Sequence, residues 1–257
     1  MGFGIWILGF DVIKLSVNVN KVATVRNSRG GTIPSVTEAV SVCIGAGAPG
    51  ITVHPRADAR HITPTDVRQI AALLAPVVPH VEYNMEGDPR PDFLALVHDV
   101  KPDQCTLVPV RPGEITSQAG WSPDSPRDTL ARAIAGLRAA RIRVSLFVDP
   151  AEAPIRWAAD VGADRVELYT EPFARAFERG PHDAQASFDV YARAARTAHA
   201  LGLGVNAGHD LDLENLVLFR QLPHLDEVSI GHALISHALF VGLSHSVSDY
   251  LAVLANG

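Results

Sequence analysis

The chain is short of lysine and cysteine and has no long apolar run, and each shortage narrows what it can be. Lys14, Lys21 and Lys101 are its only lysines, so arginine supplies nearly all of the 22 positive charges set against 28 negative ones. A formal charge of −6, with no basic run interleaved with aromatics, argues against a nucleic-acid-binding surface. Any anionic ligand must then be held by a local cluster of cations. Cys43 and Cys105 are the only cysteines, and each sits in an apolar stretch. That fits two buried, reduced thiols in a cytoplasmic protein and excludes a disulfide framework. The apolar run Met1–Phe10 is too short to span a bilayer, and it lacks the basic start and small-residue cleavage site of a secretory leader. Residues 1–12 therefore read as an N-terminal extension, with no membrane association expected.

Several chemistries are missing as well. There is no Gly-x-Ser-x-Gly elbow, and neither cysteine lies at the C-terminal end of a β-rich segment, which argues against a serine or cysteine nucleophile. No His-x-His pair and no clustered carboxylates offer metal-ligand spacing, so no metal is expected. The glycine-rich run Gly45–Gly50 ends a helical pattern and leads into a strand, the reverse of the dinucleotide-binding order.

What is present is a regular alternation. The 257 residues, 47% of them hydrophobic, suit one large core. Eight β-rich segments recur at residues 13–20, 50–56, 80–86, 104–110, 143–149, 165–170, 204–209 and 227–232. Helical patterns fall between them at 34–47, 63–74, 91–100, 128–140, 151–161, 184–201, 213–222 and 235–254. This is an α/β pattern, and without a break in composition it predicts a single (β/α)8 TIM barrel over residues 13–257. Residues 110–127, with Trp121 among prolines, read as an ordered loop over the active face.

In such a barrel the chemistry sits at the C-terminal ends of the strands and in the loops after them. Here those places read Asn18-Val-Asn20-Lys21 with Arg26 and Arg29 following, His54-Pro-Arg56 with His61, Asn84-Met-Glu86, Gly208-His209, and Gly231-His232. Alternation puts Asn18 and Asn20 on one strand face, and likewise Asn84 and Glu86. Imidazoles with a partly desolvated carboxylate are the usual groups for moving protons near neutral pH. Arg29, Arg56, His61 and the Gly231-His232 turn suit phosphate, through guanidinium forks and the N–H groups of a helix start. Lys21 fits phosphate or hydroxyl binding, or a Schiff base with a carbonyl substrate.

Taken together, Asn18–Gly30 (NVNKVATVRNSRG), Gly50–Thr63 (GITVHPRADARHIT), Gln104–Pro109 (QCTLVP), Val205–His209 (VNAGH) and Ser229–Ile235 (SIGHALI) resemble the pyridoxine 5′-phosphate synthase family. The resemblance runs from about Lys14 to the C-terminus. It implies a (β/α)8 barrel with extra helices, commonly a homo-octamer, needing no metal or organic cofactor. The implied reaction is a ring-closing condensation of two small phosphorylated substrates, 1-deoxy-D-xylulose 5-phosphate and 3-amino-2-oxopropyl phosphate. Its products are pyridoxine 5′-phosphate, phosphate and water. By the same resemblance His54 and Glu86 are proton acceptors and His209 is a proton donor. Asn20, Lys21, Arg56, His61 and Thr116 hold the deoxyxylulose phosphate, and Asn18, Arg29, Asp210, Gly231 and His232 hold the aminoketone phosphate.

Three positions depart from the commoner family pattern. Asn20-Lys21 stands where Asp-His is frequent and resembles a second branch of the family. Asp210 stands where glycine is frequent, and its carboxylate would repel a phosphate unless it points away. Glu86 sits in Asn-Met-Glu-Gly-Asp, with Glu82 four residues earlier on the same strand face as a competitor for its role. Two other readings stay open: another phosphosugar aldolase or isomerase on this barrel, and a barrel that binds phosphometabolites without catalysis.

Overall fold

Alternation along each strand sorts the sheet into two faces, and both are needed to close it. The computed structural model describes residues 12–77, 81–109 and 119–255. Its strands are β1 (Lys14–Asn18), β2 (Gly50–Val53), β3 (Glu82–Gly87), β4 (Gln104–Leu107), β5 (Arg143–Val148), β6 (Arg165–Leu168), β7 (Gly204–Ala207) and β8 (Leu225–Ile230). They pair in parallel in sequence order, and β8 returns to β1 with Lys14 opposite Glu227, so the sheet is a closed barrel. The (β/α)8 prediction holds.

The outward residues of the strands are apolar and fully buried: Leu15, Val17, Ile51, Val53, Met85, Leu107, Val144 and Val166 are among them. They pack under the helices α1 (Asn20–Asn27), α2 (Val36–Gly45), α3 (Pro64–Leu74), α4 (Pro91–Val100), α5 (Arg127–Ala139), α6 (Glu152–Asp160), α7 (Glu171–Arg179), α8 (Pro181–Ala200), α9 (Leu216–Phe219), α10 (His232–Val241) and α11 (Leu243–Ala255). Each fully buried Leu, Val or Phe contributes about 1.5–3 kcal/mol, so this layer drives the fold. An aromatic cluster closes one side, with Phe173 and Phe219 rings 4.9 Å apart and Tyr191 at 5.4 Å from Phe219. Helix starts follow local chemistry. Thr63 and Asp66 form a reciprocal capping box at α3 with Pro64 in its first turn, and Ser35 accepts a bond from the Glu38 N–H at α2.

The inward face is polar, unlike the branched aliphatic layers usual in this fold. Ser16 and Thr52 hydroxyls lie 2.6 Å apart, Asn84 donates to Thr52 at 3.3 Å, and Thr106 donates to Asn84 at 3.1 Å. Asn206 on β7 reaches Gln104 on β4 at 3.4 Å. These strands are not neighbours, so the bond crosses the barrel lumen.

Three sequence expectations change. Asn20 does not continue β1 but opens α1, so Asn20-Lys21 lies on a helical turn rather than on the inward strand face. The predicted helix 235–254 is two helices, α10 and α11, broken at Gly242, whose φ of +86° no other residue type adopts easily. Helices α1 and α7 lie in stretches read as loop. Of the expected loop 110–127, residues 110–118 fall outside the described residues; its described part pairs Trp121 with Val148 at the end of β5 before α5 begins.

Candidate active site

The ends of β1, β2 and β3 build one wall. Asn18, at the end of β1, donates to Glu86 Oε2 at 3.4 Å and accepts from the Asn20 N–H at 3.1 Å. Asn20 then accepts from the His54 backbone N–H at 2.9 Å. Asn20 thus fixes the loop after β2 from its place in the first turn of α1. The His54 ring comes to rest with Nδ1 3.9 Å from Glu86 Oε2. Its buried Nε2 has no hydrogen-bond partner among the described residues. Burial, followed by the positive field of His61, Arg56 and Arg90, pushes the His54 pKa down to about 3. His54 is therefore a neutral imidazole with one nitrogen open to a ligand.

His61 lies 6.2 Å from His54, centroid to centroid. The Ile62 N–H donates to its Nδ1 at 3.0 Å, which places the ring proton on Nε2. Burial, then Arg56 and Lys21, lower its pKa to about 4. It offers a phosphate an N–H donor rather than a fixed charge. Arg56 lies at the same site, 3.9 Å from Asp58. Arg90 is a residue that sequence reasoning missed. It donates to the Pro55 carbonyl at 2.8 Å and pairs with Asp88, adding cationic field behind His54. Arg26, read beside Arg29 in the sequence, is instead structural: it pairs with the Asp66 carboxylate at 2.5 and 2.8 Å.

The floor is a set of buried carboxyls. Glu86 is 9% exposed, Glu167 6% and Glu227 3%. Burial, then the nearby charge of Glu227, pushes the Glu86 pKa up to about 8. Burial and then Glu86 and Glu227 raise Glu167 well above the carboxylate range. Sequence reasoning missed Glu167 and Glu227. The signal was available, since each stands at a strand position whose alternation points inward, Glu167 between Val166 and Leu168 and Glu227 before Val228. Glu82, the competitor of Glu86, is excluded by place: it pairs with Lys14 and with Arg143 at the opposite, N-terminal end of the barrel.

The opposite wall comes from β6, β7 and β8. His209, just past β7, is half-buried, and its Nδ1 lies 2.6 Å from Asp210 Oδ2. The Tyr169 ring is 6.3 Å away, and the Thr170 hydroxyl donates to the His209 carbonyl. Glu167 and Lys21 both act on His209, which ties this wall to the floor and to α1. A Cβ on Gly208 would fall 2.0 Å from the Ser229 carbonyl oxygen, so only glycine lets β7 lie this close to β8. Gly231 caps α10 without a side-chain bond, leaving first-turn N–H groups able to take an anion. A Cβ there would stand 3.1 Å from Asn18.

A model of the family described as "Pyridoxal phosphate biosynthesis protein PdxJ" matches residues 15–256. The chain belongs to the PdxJ family. Its relatives include proteins named pyridoxine 5′-phosphate synthase from Christiangramia forsetii, 51% identical over 94% of this chain and 99% of the relative, and from Bacteroides fragilis, 51% identical over 92% and 97%. One from Leptospira biflexa is 48% identical over 95% and 98%. Among solved structures, thiamine phosphate pyrophosphorylase from Pyrococcus furiosus overlays with a TM-score of 0.60 at 12% identity, covering 96% of this chain and 97% of that one. Phosphoribosyl anthranilate isomerase from Thermotoga maritima gives 0.59 at 13%, covering 95% and 100%. Those likenesses establish the barrel fold.

In this PdxJ member the predicted His54, Glu86, Asn18, Asn20, Arg56, His61, His209, Gly231 and His232 all lie at the C-terminal end of the barrel. Arg29 sits exposed just beyond the end of α1, and Thr116 lies outside the described residues. The Asp210 carboxylate faces His209 rather than standing alone as a phosphate contact. Among the described residues no group of three or more His, Cys, Asp or Glu is arranged to hold a metal ion. No helix among them is long and apolar enough to cross a membrane.

Proposed function

We propose that this chain is a pyridoxine 5′-phosphate synthase. It condenses 3-amino-2-oxopropyl phosphate with 1-deoxy-D-xylulose 5-phosphate and releases pyridoxine 5′-phosphate, phosphate and water. The observation that carries the reading is about 50% identity over nearly full length to proteins of that name, joined to a barrel mouth holding a neutral imidazole, a protonated carboxyl and a second imidazole bonded to a carboxylate.

The reaction needs little from the protein beyond placement and proton transfer, because the substrate amine itself attacks the ketone. His54 serves as base through its open Nε2. Glu86 stands beside it, protonated near neutral pH, and gives or takes a proton as the dehydrations proceed. On the far wall, His209 donates to a departing hydroxyl. Arg56, His61 and Lys21, with Asn20 setting the loop, receive the deoxyxylulose phosphate. The α10 N-terminus at Gly231-His232, with Asn18 and Arg29, receives the aminoketone phosphate. Two cationic cradles in an acidic protein fit two phosphorylated substrates. Buried, unpaired Cys43 and Cys105 fit a cytoplasmic setting. Exposed Leu239 (76%) and Phe240 (89%) on α10, with Ile33 (83%), fit contact between copies in a homo-oligomer.

The test is direct: incubate the protein with both phosphates and follow the fluorescent pyridoxine product. No product, together with borohydride trapping of Lys21 by a carbonyl substrate, would replace this reading with a lysine-dependent aldolase.

A further inference from the structure

We infer that Asp210 and His209 form a dyad in which Asp210 is a positioning residue, accepting the Nδ1–H of His209 and orienting its ring for proton donation from Nε2. The inference rests on the proposed role of His209 as the acid of the reaction.

The geometry is specific. Nδ1 of His209 and Oδ2 of Asp210 are 2.6 Å apart although the residues are adjacent in sequence. Adjacent side chains on an extended strand point to opposite faces, so this contact requires the chain to turn between them. Asp210 supplies the turn with a φ of +64°, in the left-handed region that only Gly, Asn and Asp adopt at modest cost. The turn is held on both sides. Thr170 donates to the His209 carbonyl, Asn215 Nδ2 donates to the Asp210 carbonyl at 3.1 Å, and the Leu211 N–H bonds to the Gly208 carbonyl at 3.1 Å. A glycine would serve the backbone equally well; what aspartate adds is the carboxylate. One of its oxygens, Oδ2, is occupied by the imidazole.

The surroundings favour charge on the ring. Burial alone disfavours imidazolium, and Lys21 on α1 opposes it too. The hydrogen bond and charge of Asp210 are the leading causes that raise the His209 pKa against them. In turn His209, then burial in the opposite sense, then His232 on α10 and Arg175 on α7 act on Asp210, whose pKa is lowered overall. Asp210 is thereby favoured as the carboxylate and His209 as the imidazolium. In the step assigned to it, Nε2 of His209 gives its proton to a departing hydroxyl, which leaves as water. The ring becomes neutral, and its Nδ1–H stays bonded to Asp210.

Asp210→Asn tests this, since asparagine tolerates the same backbone and removes only the charge. The two readouts are the His209 pKa, from NMR titration of histidine-labelled enzyme, and the pH profile of kcat. The expected result is a lower His209 pKa, an alkaline limb of kcat displaced to lower pH, and turnover reduced about tenfold or more at pH 8, short of the 10²–10⁴ lost with a whole acid catalyst. Asp210→Gly should behave the same way with the fold retained. An unchanged His209 pKa in Asp210→Asn overturns the dyad. A lowered pKa with an unmoved alkaline limb overturns instead the role of His209 as donor, and with it the function of the pair.

Discussion

Replacing Glu86 with glutamine should stabilise the protein at neutral pH while abolishing most of its activity. The Glu86 carboxyl is buried and its pKa rises from an ordinary 4.5 to about 8. In the unfolded chain it ionises freely above pH 4.5, whereas the folded chain holds the proton. A raised acid of this kind is costless below the unfolded pKa and increasingly destabilising as pH climbs toward the folded one. At pH 7 that difference is about 3 kcal/mol, an upper bound because Glu227 and Glu167 share the site. Glutamine keeps the volume and leaves an oxygen for the Asn18 amide, which donates to Glu86 at 3.4 Å. Thermal melts of the two proteins across pH 4 to 8 make the measurement. The glutamine variant should melt higher at pH 7.5, by up to roughly 6–12 °C for a domain of this size, and the gap should close near pH 4.5. Turnover should fall about 10²–10⁴-fold with both substrates still bound. A variant that melts lower than the parent at every pH would show that the carboxyl is held ionised by cationic or hydrogen-bonding partners instead. Near-normal turnover would remove Glu86 from the chemistry.

Other perturbations follow the same physics. His54 is neutral in the fold, with its pKa near 3 rather than 6.5, so stability should be lost as pH falls from 6.5 toward 3, by about 2 kcal/mol at pH 5. His54→Asn should flatten that acid limb in a denaturant titration while costing activity. Arg29→Ala should raise KM for one phosphate substrate with little change in kcat, and equal dissociation constants for both substrates in parent and variant would contradict the assignment. Gly208→Ala forces a methyl group to 2.0 Å from the Ser229 carbonyl and should cost more than the usual 1–3 kcal/mol of overpacking, read as a collapse in soluble yield or melting temperature. Burial pushes the Cys43 thiol up to about 12 and raises Cys105 as well, so neither should react with a thiol reagent until the protein unfolds.

Much of the site is legible from the residues because strand alternation is a strict rule. It places Glu86 and Asn84 inward together, and puts His54, His209 and Gly231-His232 at one end of the barrel. Where a competing local signal operates, sequence pattern misleads. Asn20 looks like one more inward strand residue, yet the chain turns at Val19 and the Asn18 side chain accepts the Asn20 N–H, starting a helix that no capping residue announces. Gly242 disappears inside a continuous apolar pattern, since α10 is apolar nearly all round and offers no periodicity to interrupt. Arg26 cannot be told from Arg29 without knowing that Asp66, forty residues on, closes over it. Asp210 reads as a phosphate neighbour because family likeness reports which position matters and is silent on where a new side chain points.

The hydrophilic lining of the barrel carries a consequence for anyone redesigning this enzyme. In most such barrels the lumen is a second oily core that can be refilled with larger aliphatics. Here Thr52, Asn84, Thr106, Gln104 and Asn206 bond to one another across it. Substituting valine or leucine at any one of them strands the partner groups in a dry interior, at about 1–3 kcal/mol each, before any gain in contact appears. Robustness is therefore better sought in the shell between strands and helices, where Leu, Val and Phe already meet without obligations. The lumen should be left as it stands, because the same side chains form the medium in which Glu86 keeps its proton.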